Sequence, residues 1–245
     1  MTDSYTFVLI HGAWHDGDLW EPIAGRLRKA GHTVHTPTVA GHGKNAPKDV
    51  THAEGVSSIV DYIVENDVTD FLLLGHSFGG TIISKVAEQV PERIRRLVFW
   101  NAFVLENGNS INDESPALYR ELMNATQVDG TFMLPFPLWR EAFIQDATEE
   151  LARSSYDQLS AEPMSMLETK LDLTRFYELI GAGALKVSYL NATGDTAMPH
   201  GEFAWHPRFS SRLGLHRLVQ MEGSHETMFS NPELATTKII EACRD

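Results

Sequence analysis

Short apolar runs alternate along this chain with longer stretches in which apolar residues recur at spacings of three and four. That alternation predicts βαβ units and a mainly parallel sheet flanked by helices. Residues 5–10 are rich in aromatic and branched side chains and read as a buried strand. A helix follows over 18–30, with Leu19, Ile23 and Leu27 on one face and Gly31 as its stop. Residues 32–35 form the next strand, closed by Thr36-Pro37. Val56, Ile59, Val60, Ile63 and Val64 carry helical spacing, and 71–74 is a short, wholly apolar strand. A helix over 81–90 ends at Pro91-Glu92, and 97–100 is the strand after it.

The rhythm then breaks. Residues 103–179 are irregular and helical, with Met133-Leu134-Pro135-Phe136-Pro137-Leu138-Trp139 in their middle and no clear strand, so they read as a cap over the sheet. Strands resume at 185–190 and 215–221, and a closing helix spans 232–242 with Asn231 as its N-cap. Without repeats, low-complexity segments or Gly/Ser linkers, residues 1–245 read as one α/β domain. Its core covers about 1–102 and 184–245, and its cap insertion covers about 103–183.

The composition adds exclusions. At 245 residues, with 42% hydrophobic and 22% charged residues, the chain has ordinary globular character and length enough for a substantial core. No apolar run approaches the roughly 20 residues that span a bilayer, so no membrane partner is expected. Met1 to Ser4 leads directly into the first strand without the marks of a signal peptide, and cytoplasmic residence is the expectation. The single cysteine, Cys243, has no partner for an internal disulfide, which fits a reducing compartment. A net charge of −13 repels nucleic acid and anionic membranes. A homodimer is compatible with the sequence and not specified by it.

Eleven histidines raise the question of a metal. His32 and His35 sit on a predicted strand at a spacing that sends them to opposite faces, and the chain has neither a His-Glu-x-x-His pattern nor paired cysteines. No metal and no cofactor are expected.

Gly75-His76-Ser77-Phe78-Gly79 lies where a strand meets a helix, and that setting gives the pentapeptide meaning. Glycines two before and two after the serine let strand and helix approach without Cβ clashes, while the turn strains the serine backbone and exposes its hydroxyl near a helix N-terminus. A plain turn with Ser77 as an N-cap is the alternative reading. A phosphate loop is excluded because Gly79-Gly80-Thr81 lacks the lysine it requires.

Where a serine stands on such a turn, one backbone N–H from the loop after the first strand and one from the residue after the serine receive the developing oxyanion. By position in His11-Gly12-Ala13-Trp14-His15, these are the amides of Ala13 and Phe78. The general base belongs in the loop after the last strand, where Gly223-Ser224-His225 supplies His225. Asp195, in Ala192-Thr193-Gly194-Asp195, is the first carboxylate after the penultimate strand and completes the order Ser, Asp, His. As a residue beside Gly194 it also suits a simple turn. The other position for the acid, after the strand ending at Trp100, carries the uncharged Asn101, which leaves Glu106 as the next carboxylate to test.

These residues resemble the plant methylesterase and hydroxynitrile lyase group of α/β-hydrolases and small bacterial esterases of the same build. The resemblance spans nearly the whole chain and also takes in Val98-Phe99-Trp100-Asn101-Ala102-Phe103 and Thr193-Gly194-Asp195-Thr196-Ala197-Met198-Pro199. It implies a six-stranded sheet under a small helical cap and a Ser77-His225-Asp195 triad. Within that group, lyases resemble one another in a threonine where this chain has Gly12 and a lysine where it has Glu226, so the resemblance implies ester hydrolysis through an acyl-enzyme instead. The loop Gly12-Ala13-Trp14-His15-Asp16 is also similar to that of cofactor-free dioxygenases that cleave hydroxyquinolone rings, with a His-Asp pair as base. That is the alternative reading, and a non-catalytic receptor on the same fold is a third.

Phe132, Met133, Leu134, Phe136, Leu138, Trp139 and Phe143 give the cap more apolar surface than a solvated loop needs. Most of it is expected to seat the cap on the sheet, and the remainder to line a pocket for a small apolar or aromatic substrate. Gly12, Trp14, His15, Phe136 and Trp139 are the residues expected at that pocket.

Overall fold

The computed structural model describes residues 4–244; Met1 to Asp3, which bear on the expected absence of a signal peptide, lie outside the described residues. The core begins with β1 (Thr6–Ile10), α1 (Glu21–Lys29), β2 (Thr33–His35), α2 (His52–Glu65), β3 (Phe71–His76), α3 (Gly79–Gln89) and β4 (Ile94–Trp100). After β4 come α4 (Ile111–Glu114), α5 (Ala117–Thr126), β5 (Thr131–Phe132), α6 (Phe136–Leu138) and a π-helical turn (Trp139–Phe143). The same segment continues with α7 (Glu149–Tyr156), β6 (Glu162–Pro163), α8 (Met164–Glu168) and α9 (Thr174–Gly181). The chain closes with β7 (Lys186–Ala192), β8 (Arg217–Met221), α10 (Thr227–Ser230) and α11 (Pro232–Cys243).

Six strands form one sheet in the order β2-β1-β3-β4-β7-β8, and every neighbouring pair is parallel. Parallel neighbours need crossovers, which lay helices on both faces and bury the central strands completely, as along all six residues of β3. Alternate strand residues therefore feed two cores. Val8, Ile10, Leu73, Leu97 and Phe99 pack with Ile59 of α2 and Ile82 of α3, while Phe7, Leu9, Leu72, Val98 and Trp100 pack with Ile23 of α1 and Ile239 of α11. Each fully buried Ile or Leu contributes about 1.5–3 kcal/mol relative to exposure.

β1 has β2 on one side and β3 on the other, so the strand order reverses beside β1. Loops after adjacent strands diverge at such a reversal and open a crevice at the carboxyl ends. The loop after β1 and the turn after β3 both leave from that edge.

The elements depart from the sequence pattern in several places, as where β4 begins at Ile94 and not at 97. The first helix starts at Glu21 because Gly17–Trp20 form a separate 3-10 turn, capped where Asp18 N–H donates to Asp16 Oδ1 at 3.1 Å. β8 starts at Arg217, since Gly214 turns with φ +64 and leaves Leu215 99% exposed. In the segment where no strand was expected, β5 and β6 pair antiparallel over two residues each, too short to leave a period-two signal. No helix among the described residues is long and apolar enough to cross a membrane.

Candidate active site

Ser77 has φ +53, in the left-handed region that is costly for any residue with a Cβ. The surrounding bonds hold it there. Its N–H donates to Trp100 O at 3.1 Å, and its carbonyl accepts from the N–H groups of Gly80 and Phe103, each at 3.1 Å. A Cβ on Gly75 would meet Gly79 O at 2.6 Å, and one on Gly79 would meet His11 O at 2.7 Å, so β1, β3 and α3 converge only with glycine at both positions.

Asp195 and His225 come from the loops after β7 and β8 and are both buried. Asp195 Oδ2 is 2.6 Å from His225 Nδ1, and its Oδ1 accepts from Ala197 N–H at 2.8 Å. Asn101 Nδ2 also donates to Asp195 Oδ2, while Asn101 Oδ1 takes the Ala192 N–H at 2.8 Å. With Nδ1 donating to the carboxylate, neutral His225 presents Nε2 as the basic nitrogen. Trp205 stacks on the His225 ring at 5.2 Å and Phe143 meets it edge-on at 5.3 Å. Both aromatics also line the pocket that Ser77 lines.

His76, next to Ser77, donates from Nε2 to the His225 carbonyl at 3.0 Å. Burial first, and then the neighbouring histidines, hold its pKa well below the usual range, so it stays neutral beside His225. Ala13 and Phe78 line the same pocket next to Ser77. The peptide that carries the Ala13 N–H is held at its other end, where His11 Nδ1 is 2.9 Å from Gly12 O. His11 Nε2 accepts from Val39 N–H at 3.1 Å, so Nδ1 carries the proton of a neutral ring.

The pocket opens to solvent, and the empty space in and before it comes to about 610 Å³. Its wall is apolar and carries no charged side chain among the described residues; Ser77, Ser115 and Tyr119 supply its hydroxyls. Of the five residues expected there, Trp14 lines it and four do not. Gly12 lies beneath, where a Cβ would meet His76 Nδ1 at 2.9 Å and Ser77 Cβ at 3.3 Å. His15 turns inward against Glu226. Trp139 is wholly buried and its indole N–H donates to Ala152 O at 3.1 Å, which joins two parts of the cap to each other. Phe136 is partly buried outside the pocket, edge-on to Tyr156 and under the Arg153 guanidinium. Glu106, the fallback acid, pairs with Arg212 at 3.1 Å on the surface.

A family model described as the alpha/beta hydrolase family matches residues 7–236. The chain belongs to the alpha/beta hydrolase family. A solved structure titled as an extracellular alpha/beta-hydrolase from a Paenibacillus species, with structural and functional homology to tobacco salicylic acid-binding protein 2, superimposes with a TM-score of 0.93. It is 43% identical, over 98% of this chain and 100% of that one. Salicylic acid-binding protein 2 of Nicotiana tabacum is 26% identical over 267 aligned positions, 98% of each chain. The carbendazim hydrolyzing esterase of Nocardioides sp. is 43% identical over 108 residues; that match spans 43% of this chain and 45% of the esterase.

Parts of this α/β-hydrolase site left little trace in the sequence. Tyr119, Leu122 and Met123 reach the pocket from α5, where their spacing of three and four marks a face without saying what it covers. Trp205 lies in an irregular loop with no periodicity at all. Ligand atoms of His76, His225 and Glu226 fall within 4.8 Å of one another, the grouping a metal would need among the described residues. Each has another partner: the His225 carbonyl for His76, Asp195 for His225, and His15 for Glu226.

Proposed function

We propose that this α/β-hydrolase cleaves small neutral esters with an apolar or aromatic group, through an acyl-enzyme on Ser77. The observation that carries the reading is the 2.6 Å contact of Asp195 with His225 at the pocket that Ser77 lines from a strained turn. In this reading His225 Nε2 takes the Ser77 proton as Oγ attacks the ester carbon, and the oxyanion settles against the Ala13 and Phe78 amides. His225 then gives the proton to the departing alkoxide, leaving the acyl group on Oγ. Water attacks that acyl carbon, passes its proton through His225 and restores Ser77 with release of the acid. Asp195 keeps the imidazole in the needed tautomer and stabilises it as a cation.

The apolar wall supports a neutral substrate, since a free carboxylate would lose its hydration there and gain no cation. The esterase named among the 43% identical relatives supports hydrolysis. Cyanohydrin cleavage is disfavoured: position 12 has neither a hydroxyl nor space for one, and Glu226 is buried against His15.

Aryl ester turnover measured with and without dissolved oxygen, alongside a 3-hydroxy-4-quinolone, tests the proposal. Equal ester rates in both, with no quinolone consumption, are expected. Oxygen-dependent quinolone loss with a larger kcat/KM would assign His225 and Asp195 to ring-cleaving oxygenation and remove the nucleophilic role from Ser77.

A further inference from the structure

Two buried His-Glu pairs flank the oxyanion loop, and both end on one peptide group. Trp14 N–H donates to Glu162 Oε2 at 2.8 Å, and the carbonyl of the same peptide, Ala13 O, is 2.7 Å from His15 Nδ1. Glu162 is in turn 3.0 Å from His42 Nε2, with both side chains out of solvent. The Nδ1 of His42 faces the carbonyls of Val39 and Ala40 at 3.2 and 3.3 Å, so both ring nitrogens meet acceptors. His15 Nε2 is 3.3 Å from Glu226 Oε2 but off the hydrogen-bond line. Burial alone would lower the His15 pKa, and Glu226 together with the Ala13 carbonyl more than offsets it.

The two glutamates come from different parts of the molecule. Glu162 belongs to β6, in the segment over the sheet, and Glu226 immediately follows His225. The peptide between them is strained, because Trp14 has φ +65. A buried carboxylate without a charged or hydrogen-bonded partner is costly, so neither pair would persist as mere filler.

We propose that Glu162 and Glu226 are positioning residues that, with His42 and His15, hold the Ala13–Trp14 peptide from its two ends and thereby fix the direction of the Ala13 amide toward the developing oxyanion. The inference rests on reading Ala13 as an oxyanion donor, as in the function proposed above. One pair ties the peptide that follows that donor, across the Ala13 Cα, to the segment covering the pocket, and the other ties the same peptide to the loop of the base. The segment over the sheet and the loop of the base thus meet at the same peptide.

A misdirected donor weakens binding of an oxyanion and leaves binding of a neutral ligand alone. The test compares an aryl trifluoromethyl ketone, which Ser77 converts to an oxyanionic adduct, with the isosteric ether that Ser77 cannot attack. Glu162→Leu is expected to lose ~10²-fold in kcat and in ketone affinity, with KM and ether affinity within about three-fold of wild type. Glu162→Gln, whose amide oxygen still accepts from Trp14, should recover most of that loss. Glu226→Gln, which removes the carboxylate that faces His15, is expected to lose about ten-fold in ketone affinity alone, and it serves as the independent test where Glu162→Leu does not fold. Wild-type ketone affinity in folded Glu162→Leu or in Glu226→Gln, or equal loss of ketone and ether, would overturn the inference. A wild-type enzyme that forms no covalent ketone adduct would instead fail the hydrolytic reading, and the inference with it.

Discussion

Asp195 Oδ2 accepts from two directions at once, from His225 Nδ1 at 2.6 Å and from the Asn101 amide. The uncharged Asn101, after β4, braces the Asp195 carboxylate and, through Ala192 N–H, the end of β7. A carboxylate held this way keeps its orientation whether His225 is neutral or protonated.

Replacing that carboxylate isolates its contribution. Asp195→Asn keeps the volume but permits the wrong histidine tautomer, so kcat for an aryl ester should fall ~10³–10⁴-fold with KM nearly unchanged. Steady-state kinetics on a variant of native circular dichroism checks this. Wild-type turnover would move the orienting role elsewhere.

Buried neutral histidines make the fold sensitive to acid. His52 Nε2 lies 2.9 Å from Thr81 Oγ1, and burial, then the charges of Lys85 and His42, lower its pKa to about 4. Its pKa in the unfolded chain is near 6.5. As pH falls below that value the unfolded state takes up a proton that the folded state refuses until about 4, so stability is lost across this window. His11 and His76, also shifted well down, act in the same direction. His15, shifted up, acts oppositely: its contribution is present in acid and is lost as pH rises through its raised pKa. Urea unfolding should show wild type losing about 2 kcal/mol more than His52→Gln between pH 7 and pH 5. Parallel losses in the two proteins would contradict the assignment.

The fold was legible because βα alternation is written in single-strand runs and helix faces, each a local signal. Ser77, Asp195 and His225 stand out as candidates for a different reason: each sits at a fixed place after a strand, and chain order alone orders the three. The pocket wall was not legible in this way. Phe136 and Trp139 lie one turn apart in an apolar stretch, yet the π-helical turn at Trp139–Phe143 aims Phe143 at His225 while Trp139 is taken into the interior of the cap. Composition names the aromatics of such a stretch without saying which face meets the ligand. The pairing of His15 with Glu226, and of His42 with Glu162, joins residues more than a hundred positions apart and has no local pattern.

The central claim is that Ser77 is the atom source of a covalent intermediate, and intact-protein mass after treatment with an alkyl fluorophosphonate tests it most directly. The expected result is a single phosphonyl adduct on the wild type, mapped to the peptide containing Ser77, with loss of ester turnover in the same proportion and no adduct on Ser77→Ala. Equal labelling of Ser77→Ala, or an unlabelled wild type that still hydrolyses esters, would contradict the account.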